Sequence, residues 1–203
     1  MMRLGIFLSG SGGNALNLVR ACREGMVPAQ VAAAVASTPE APGIARLEAE
    51  GIPVTVVPRP AHPDNAAFSR ACYAPVEAAG AGLIALCGWL KRLDVPPRWE
   101  SRILNIHPAL LPAFGGAGMW GMHVHRAVVA AGAAESGCTV HLVDNLYDHG
   151  RILAQARVPV LPGDTPELLQ QRVYVQEMRL YPEALAAYVR FLEGGMAGRP
   201  ESQ

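Results

Sequence analysis

Leu83-Ile84-Ala85-Leu86 is apolar at every position. A strand with one wet face alternates apolar and polar residues, so an unbroken apolar run suits a strand covered on both sides. Short apolar runs recur at 3–8, 31–37, 53–57, 82–89, 102–106, 138–144 and 152–160. Between them, 14–24, 43–50, 65–79 and 123–131 carry helical spacing over helical lengths. That order predicts an α/β fold with an open, mainly parallel, twisted sheet of the Rossmann-like kind. Right-handed crossovers then place helices on both faces.

A last helix is predicted from Thr165-Pro166-Glu167: a capping hydroxyl, a proline at the first helical position and an acid in the first turn. Leu169, Val173, Leu180 and Leu185 mark its buried side, and Pro182 is expected to kink it. No internal repeat or long linker divides the chain, so 1–193 reads as a single domain and 194–203 as a polar, frayed tail.

Composition narrows the function classes. Hydrophobic residues make up 51% of 203, ample for a sizeable core. Lys plus Arg number 17 and so do Asp plus Glu, so the chain lacks the positive field of a general nucleic-acid binder. Small-molecule partners are expected, with neither nucleic acid nor membrane. Lys91 is the only lysine, and no Gly-rich turn precedes it to form a Walker loop. Cys22, Cys72, Cys87 and Cys138 include no C-x-x-C pair and read as buried hydrophobes in a reducing compartment. The first apolar run meets Ser9-Gly10 too soon for a signal-peptide core, and no stretch approaches a membrane span. A soluble, cytoplasmic protein is the expectation.

Ser9-Gly10-Ser11-Gly12-Gly13-Asn14 follows the first strand and opens the first helix. Small residues let backbone approach a ligand, and the helix start offers unpaired N–H groups to an anion, a phosphate above all. Gly10, Gly12 and Ala15 also fit the dinucleotide pattern G-x-G-x-x-[GA]. That reading calls for an acid ending the second strand, which instead ends Val35-Ala36-Ser37-Thr38, with Glu40 late in a loop.

In Asn105-Ile106-His107-Pro108, the period of two projects Asn105 and His107 together while Ile106 enters the core. An amide beside an imidazole at the C-terminal end of a strand is placed to stabilise an oxyanion; a structural histidine is the alternative. His123-Val124-His125, followed by His141, has a zinc-chelating pattern, but enzymes that use it need a larger barrel and no further ligand lies nearby, so no metal is expected. Asp148 stands in a turn-rich loop and by itself says little. Glu177 occupies the apolar stripe of the last helix with no basic residue three or four positions away. It faces either a ligand cavity or the solvated edge of the stripe.

Together these segments resemble the glycinamide ribonucleotide formyltransferases, the folate-dependent phosphoribosylglycinamide formyltransferases of purine synthesis, over nearly the whole chain. The resemblance rests on the glycine turn, on Leu86-Cys87-Gly88-Trp89-Leu90, and on Asn105-Ile106-His107-Pro108-Ala109-Leu110-Leu111-Pro112. It extends to His123-Val124-His125-Arg126, Gly137-Cys138-Thr139-Val140-His141 through Asp148, Gln155-Ala156-Arg157-Val158-Pro159-Val160, and Gln176-Glu177. It implies transfer of the formyl group of 10-formyltetrahydrofolate to the amine of glycinamide ribonucleotide. Asn105, His107 and Asp148 are then the catalytic trio, with Asn105 and a protonated His107 sharing the oxyanion charge and Asp148 supporting His107. Gly12, Gly13 and Asn14 would hold the phosphate, and Tyr174, Val175, Gln176 and Glu177 the rest of the ribonucleotide. Leu90, Lys91, Arg92, Leu93, Asn105, Asp144, Asn145, Leu146, Tyr147 and Asp148 would line the folate pocket. A homodimer is compatible with the resemblance, and the oligomeric state is left open.

Three positions depart from the family pattern: Gly13 stands where a hydroxyl residue is common, His149-Gly150 replaces Gly-Gly, and Gly115-Gly116-Ala117-Gly118-Met119-Trp120-Gly121 lengthens a loop into a mobile lid or a floppy insertion. A transfer-RNA formyltransferase would add a basic RNA-contacting domain, and a formyltetrahydrofolate hydrolase a regulatory one. More distant alternatives are an NAD oxidoreductase, which lacks its ribose acid, and a non-catalytic nucleotide-binding module, which leaves Asn105, His107, Asp148 and Glu177 without a task.

Overall fold

The computed structural model describes residues 1–196, with side chains through Gly194. Seven strands form one sheet in the order β3-β2-β1-β4-β5-β6-β7. β1 (Met2–Leu8), β2 (Ala29–Ala36), β3 (Val54–Val56), β4 (Leu83–Cys87) and β5 (Ile103–His107) run parallel. β6 (Glu135–Leu142) and β7 (Ile152–Pro159) return antiparallel. Every residue of β4 is buried, as its unbroken apolar run requires.

The helices are α1 (Gly13–Arg23), α2 (Gly43–Ala49), α3 (Asn65–Ala78), α4 (Met122–Ala130) and α5 (Pro166–Met196). One core unites α1, α4 and α5 with the sheet around Leu4, Leu18, Leu83, Leu104 and Leu185. On the opposite face Phe68 and Tyr73 of α3 pack with Phe7, Trp89 and Trp99. Asp64 caps α3 by accepting from the Ala67 N–H at 2.7 Å. Thr165 caps α5, accepting from the Leu168 N–H at 3.3 Å.

α5 runs through Pro182, which has no N–H for the carbonyl four residues back. That carbonyl belongs to Met178, and Asn17 of α1 donates to it at 2.6 Å. One turn further along, the buried Tyr181 hydroxyl donates to the carbonyls of Leu86 and Leu104 at 3.1 and 3.0 Å, fixing α5 against β4 and β5. Leu180 is only partly buried at the rim of this contact. α5 continues as helix to Met196, three residues into the expected tail, and 197–203 lie outside the described residues. Among the described residues, no helix is long and apolar enough to cross a membrane.

The order of strands across the sheet reverses between β1 and β4, which run parallel as the first strands of the two wings. The crevice beyond their C-terminal ends is where open α/β sheets receive ligands. Ser9 fastens the two sides of that crevice: its Oγ accepts from the Leu90 N–H at 3.0 Å and from the Ser37 hydroxyl at 2.7 Å.

Candidate active site

β5 delivers Asn105 and His107 to one side, while Ile106 is buried in the core. The antiparallel register sets Asn105 opposite His141 and His107 opposite Thr139, so β6 supplies a second pair of polar side chains. Thr139 accepts from the Leu111 N–H at 3.0 Å and donates to the Ala109 carbonyl at 2.7 Å, anchoring the chain just beyond His107-Pro108. His141 donates from Nδ1 to the Leu142 carbonyl at 2.9 Å, and its Nε2 lies 3.1 Å from Asn105 Nδ2. The Asn105 amide is therefore oriented by a buried imidazole.

Asp148 closes the cluster from the loop between β6 and β7. Its backbone is left-handed, φ 52°, an uncommon conformation for a residue with a side chain. Asp148 Oδ2 accepts from the Gly116 N–H at 2.9 Å and lies 3.5 Å from His107 Nδ1, while Oδ1 lies 3.6 Å from His141 Nε2. The other ring nitrogen of His107 donates to the Phe114 carbonyl at 2.9 Å. Both nitrogens thus face oxygen acceptors, an arrangement that suits an imidazolium.

Burial opposes it: desolvation pulls His107 below its ordinary value, against the raising effects of Asp148 and the Phe114 carbonyl. Burial also pushes the Asp148 carboxyl up, but His141, the charge of His107 and the Gly116 N–H together outweigh it and hold Asp148 below its usual value. The carboxylate is ionised at neutral pH, while the free site favours neutral His107. The expected protonation of His107 therefore depends on negative charge arriving beside it.

These groups form the floor of a cleft of about 440 Å³, within the usual range for small-molecule sites. Leu90, Lys91, Arg92 and Leu93 make one wall, and the loop from Asp144 to Asp148 another. The walls are tied together by Asn145, whose Oδ1 accepts from the Val95 N–H at 2.8 Å. His149 pairs with Asp144 Oδ2 at 2.9 Å, so the departure at 149 supplies a clasp across the loop. Met119 and Trp120 of the Gly-rich segment form a third side, and Leu90, Trp120, Leu146 and Tyr147 are all exposed around the mouth.

The glycine turn lies beside this cleft, beyond β1. Gly12 has φ 75° and abuts the Gly43 backbone, where a Cβ would come within 2.9 Å of Gly43 Cα. A side chain is excluded there both by conformation and by space. α5 brings Tyr174 and Glu177 onto the turn: the Tyr174 hydroxyl lies over Gly13, and Glu177 Oε2 accepts from Asn14 Nδ2 at 2.9 Å. Glu177 therefore faces the turn rather than the solvated edge of its stripe, and burial raises its carboxyl despite the Asn14 hydrogen bond. Val175 is 66% exposed, and among the described residues neither it nor Gln176 makes a hydrogen bond to the turn. At the end of β2, where a dinucleotide site needs an acid, stands buried Ser37, bonded to Ser9.

His123 and His125 do not act as a pair. Residues two apart on a helix point in nearly opposite directions, and His125 is buried while His123 is exposed against the Trp120 ring at 4.7 Å. Among the described residues, no group of three or more His, Cys, Asp or Glu could hold a metal. His141 is the polar residue of the floor that sequence reasoning assigned only to a metal pattern. Its period-two partnership with Thr139 was visible, but its pairing with Asn105 follows from the antiparallel register.

The sequence model of the Formyl transferase family matches residues 2–185. A chloroplastic phosphoribosylglycinamide formyltransferase of Arabidopsis thaliana is 40% identical over 188 residues, covering 91% of this chain and 64% of the relative. With a second plant relative covered over 60%, the chain spans less than two thirds of the length of these curated relatives. Among solved structures, phosphoribosylglycinamide formyltransferase from Brucella melitensis superposes with a TM-score of 0.84 at 40% identity, covering 100% of this chain and 99% of that one. Glycinamide ribonucleotide transformylase 1 from Symbiobacterium toebii gives 0.86 at 38% identity, covering 96% and 89%. The glycine turn, the Asn105-His107-Asp148 floor and these matches agree: the chain belongs to the formyl transferase family.

Proposed function

We propose that the chain transfers the formyl group of 10-formyltetrahydrofolate to the primary amine of glycinamide ribonucleotide. The observation that carries this reading is the convergence of Asn105, His107 and Asp148 on one cleft floor, beside a glycine turn suited to a phosphate. Relatives 40% and 33% identical carry the name phosphoribosylglycinamide formyltransferase, which supports the acceptor. The cleft supports the donor: Trp120 and Tyr147 offer aromatic surface, and Lys91 and Arg92 offer cations to a carboxylate-bearing tail.

In the reaction, the amine nitrogen forms a bond to the formyl carbon, and the carbonyl electron pair moves onto oxygen. Asn105 and protonated His107 share that charge. The arriving oxyanion favours the imidazolium that burial alone disfavours, and Asp148 reinforces it. The C–N10 bond then breaks as the carbonyl re-forms. Asp148 takes the proton lost by the attacking amine and returns it to N10, giving formylglycinamide ribonucleotide and tetrahydrofolate. Glu177 accepts from hydroxyl groups of the ribose, and Gly12, Gly13 and Asn14 hold the phosphate. The reading carries with it a cytoplasmic location and small-molecule partners alone.

Incubation with both substrates, following release of the deformylated folate by absorbance and formylated product by mass, tests it. Stoichiometric product is expected. Turnover of the donor with water alone, or formylation of charged initiator tRNA in place of the ribonucleotide, would overturn it.

A further inference from the structure

Gly13 is the first residue of α1, and its backbone lies outside the left-handed region, so nothing in its conformation asks for glycine. The bar to a side chain is a single neighbour. A Cβ built there would overlap the Tyr174 hydroxyl and stand 3.1 Å from Tyr174 Cζ. The phenol of α5 thus occupies the volume that a side chain at position 13 would fill, above the unpaired N–H groups of the first turn of α1. Tyr174 is 40% exposed and its hydroxyl donates to no protein group among the described residues.

A second observation marks this corner as built for a ligand. Glu177, one turn along α5 from Tyr174, is only 9% exposed, yet just one of its oxygens has a protein donor, Asn14 at 2.9 Å. Asn14 Oδ1 is buried with no partner. Polar atoms left unpaired in so enclosed a place are costly unless a ligand or water meets them.

The geometry points to Tyr174 as a phosphate-binding residue that takes the place of a side chain at position 13: its hydroxyl donates to the phosphate held on the α1 amides, and Gly13 is glycine to admit it. This rests on the proposed acceptor, since the phosphate is that of the ribonucleotide. Position 13 and position 174 are therefore one specificity element divided between two helices, and each determines what the other tolerates.

Steady-state kinetics of the whole protein test this. Tyr174→Phe removes only the hydroxyl and raises KM for glycinamide ribonucleotide about tenfold, the low end for a hydrogen bond to a charged group. kcat stays within about twofold and KM for the folate donor is unchanged. Gly13→Ser alone also raises the ribonucleotide KM, because the new side chain displaces the phenol. Adding Tyr174→Ala to Gly13→Ser brings KM back to within about threefold of the native value, as the serine hydroxyl takes the vacated place. An unchanged KM in Tyr174→Phe, or a double variant worse than either single one, overturns the inference. Titration with ribose 5-phosphate, followed through the Gly13 amide resonance, separates this from failure of the proposed function. A shift weakened in Tyr174→Phe supports the inference even if the ribonucleotide is not turned over. Equal shifts in both proteins overturn it even if turnover is normal.

Discussion

His107 Nδ1 and Asp148 Oδ2 lie 3.5 Å apart, brought together from the end of β5 and the loop after β6. Asp148→Asn keeps the shape of the side chain and removes its charge. Desolvation already holds His107 low, and Asp148 is the foremost influence opposing it, so the substitution lowers His107 further. Turnover that needs the imidazolium is expected to fall about 100- to 1000-fold at neutral pH, with the optimum displaced to lower pH. A pH–rate profile checks both, and normal turnover at neutral pH would dissolve the proposed partnership.

His125 makes the protein sensitive to mild acid. It is 2% exposed, its Nδ1 has no partner among the described residues, and burial with the charge of His107 pushes it down to about 4. The unfolded chain has the ordinary value near 6.5. A folded value below the unfolded one means a stabilising contribution fully present above about pH 6.5 and lost as pH falls toward 4. Thermal melts should show Tm declining through that window, with a shallower decline in His125→Asn. Parallel curves for the two proteins would assign the acid sensitivity to other groups.

Asn17, part-buried on α1, is expected to matter to the integrity of α5. Its side chain supplies the hydrogen bond that Pro182 denies to the Met178 carbonyl. Asn17→Ala should destabilise the fold by about 1–2 kcal/mol, the usual range for removing one partner of a part-buried hydrogen bond. In a Pro182→Ala background, where the helix can restore its own bond, the same substitution should cost much less. Urea unfolding of the four proteins measures the coupling, and equal costs in both backgrounds would refute it.

Trp120, 49% exposed on the Gly-rich segment, lines the cleft, whereas Trp89 and Trp99 are buried at 9% and 1%. Folate binding should quench Trp120 emission, and Trp120→Phe should lose most of that signal. Trp120→Ala is expected to raise KM for the donor about two- to tenfold, the scale of one aromatic contact, with kcat nearly unchanged. Identical quenching in Trp120→Phe would place the donor away from this wall.

The parallel half of the sheet was legible because its central strands β1 and β4 are buried on both faces and carry that burial as apolar runs. The glycine turn was equally legible, being local. The return of β6 and β7 was not: the run at 138–144 looks the same whichever way the strand points, so nothing marked the opposition of His141 and Asn105. Asp148 reached His107 only through family resemblance, since a loop acid has no periodicity to betray its target. Tyr174 over Gly13 escaped for a similar reason: the absence of a side chain at one position was explained by a residue on another helix.

Lys91, first noticed as the lone lysine, stands exposed on the rim of the cleft and has no ion-pair partner among the described residues. Amine-directed reagents therefore meet one ε-amino group in this sequence, at the mouth of the site. A fluorophore or crosslinker carried on a mild acylating group can be installed there in one step. The protein thus offers a built-in handle for watching ligands enter and leave.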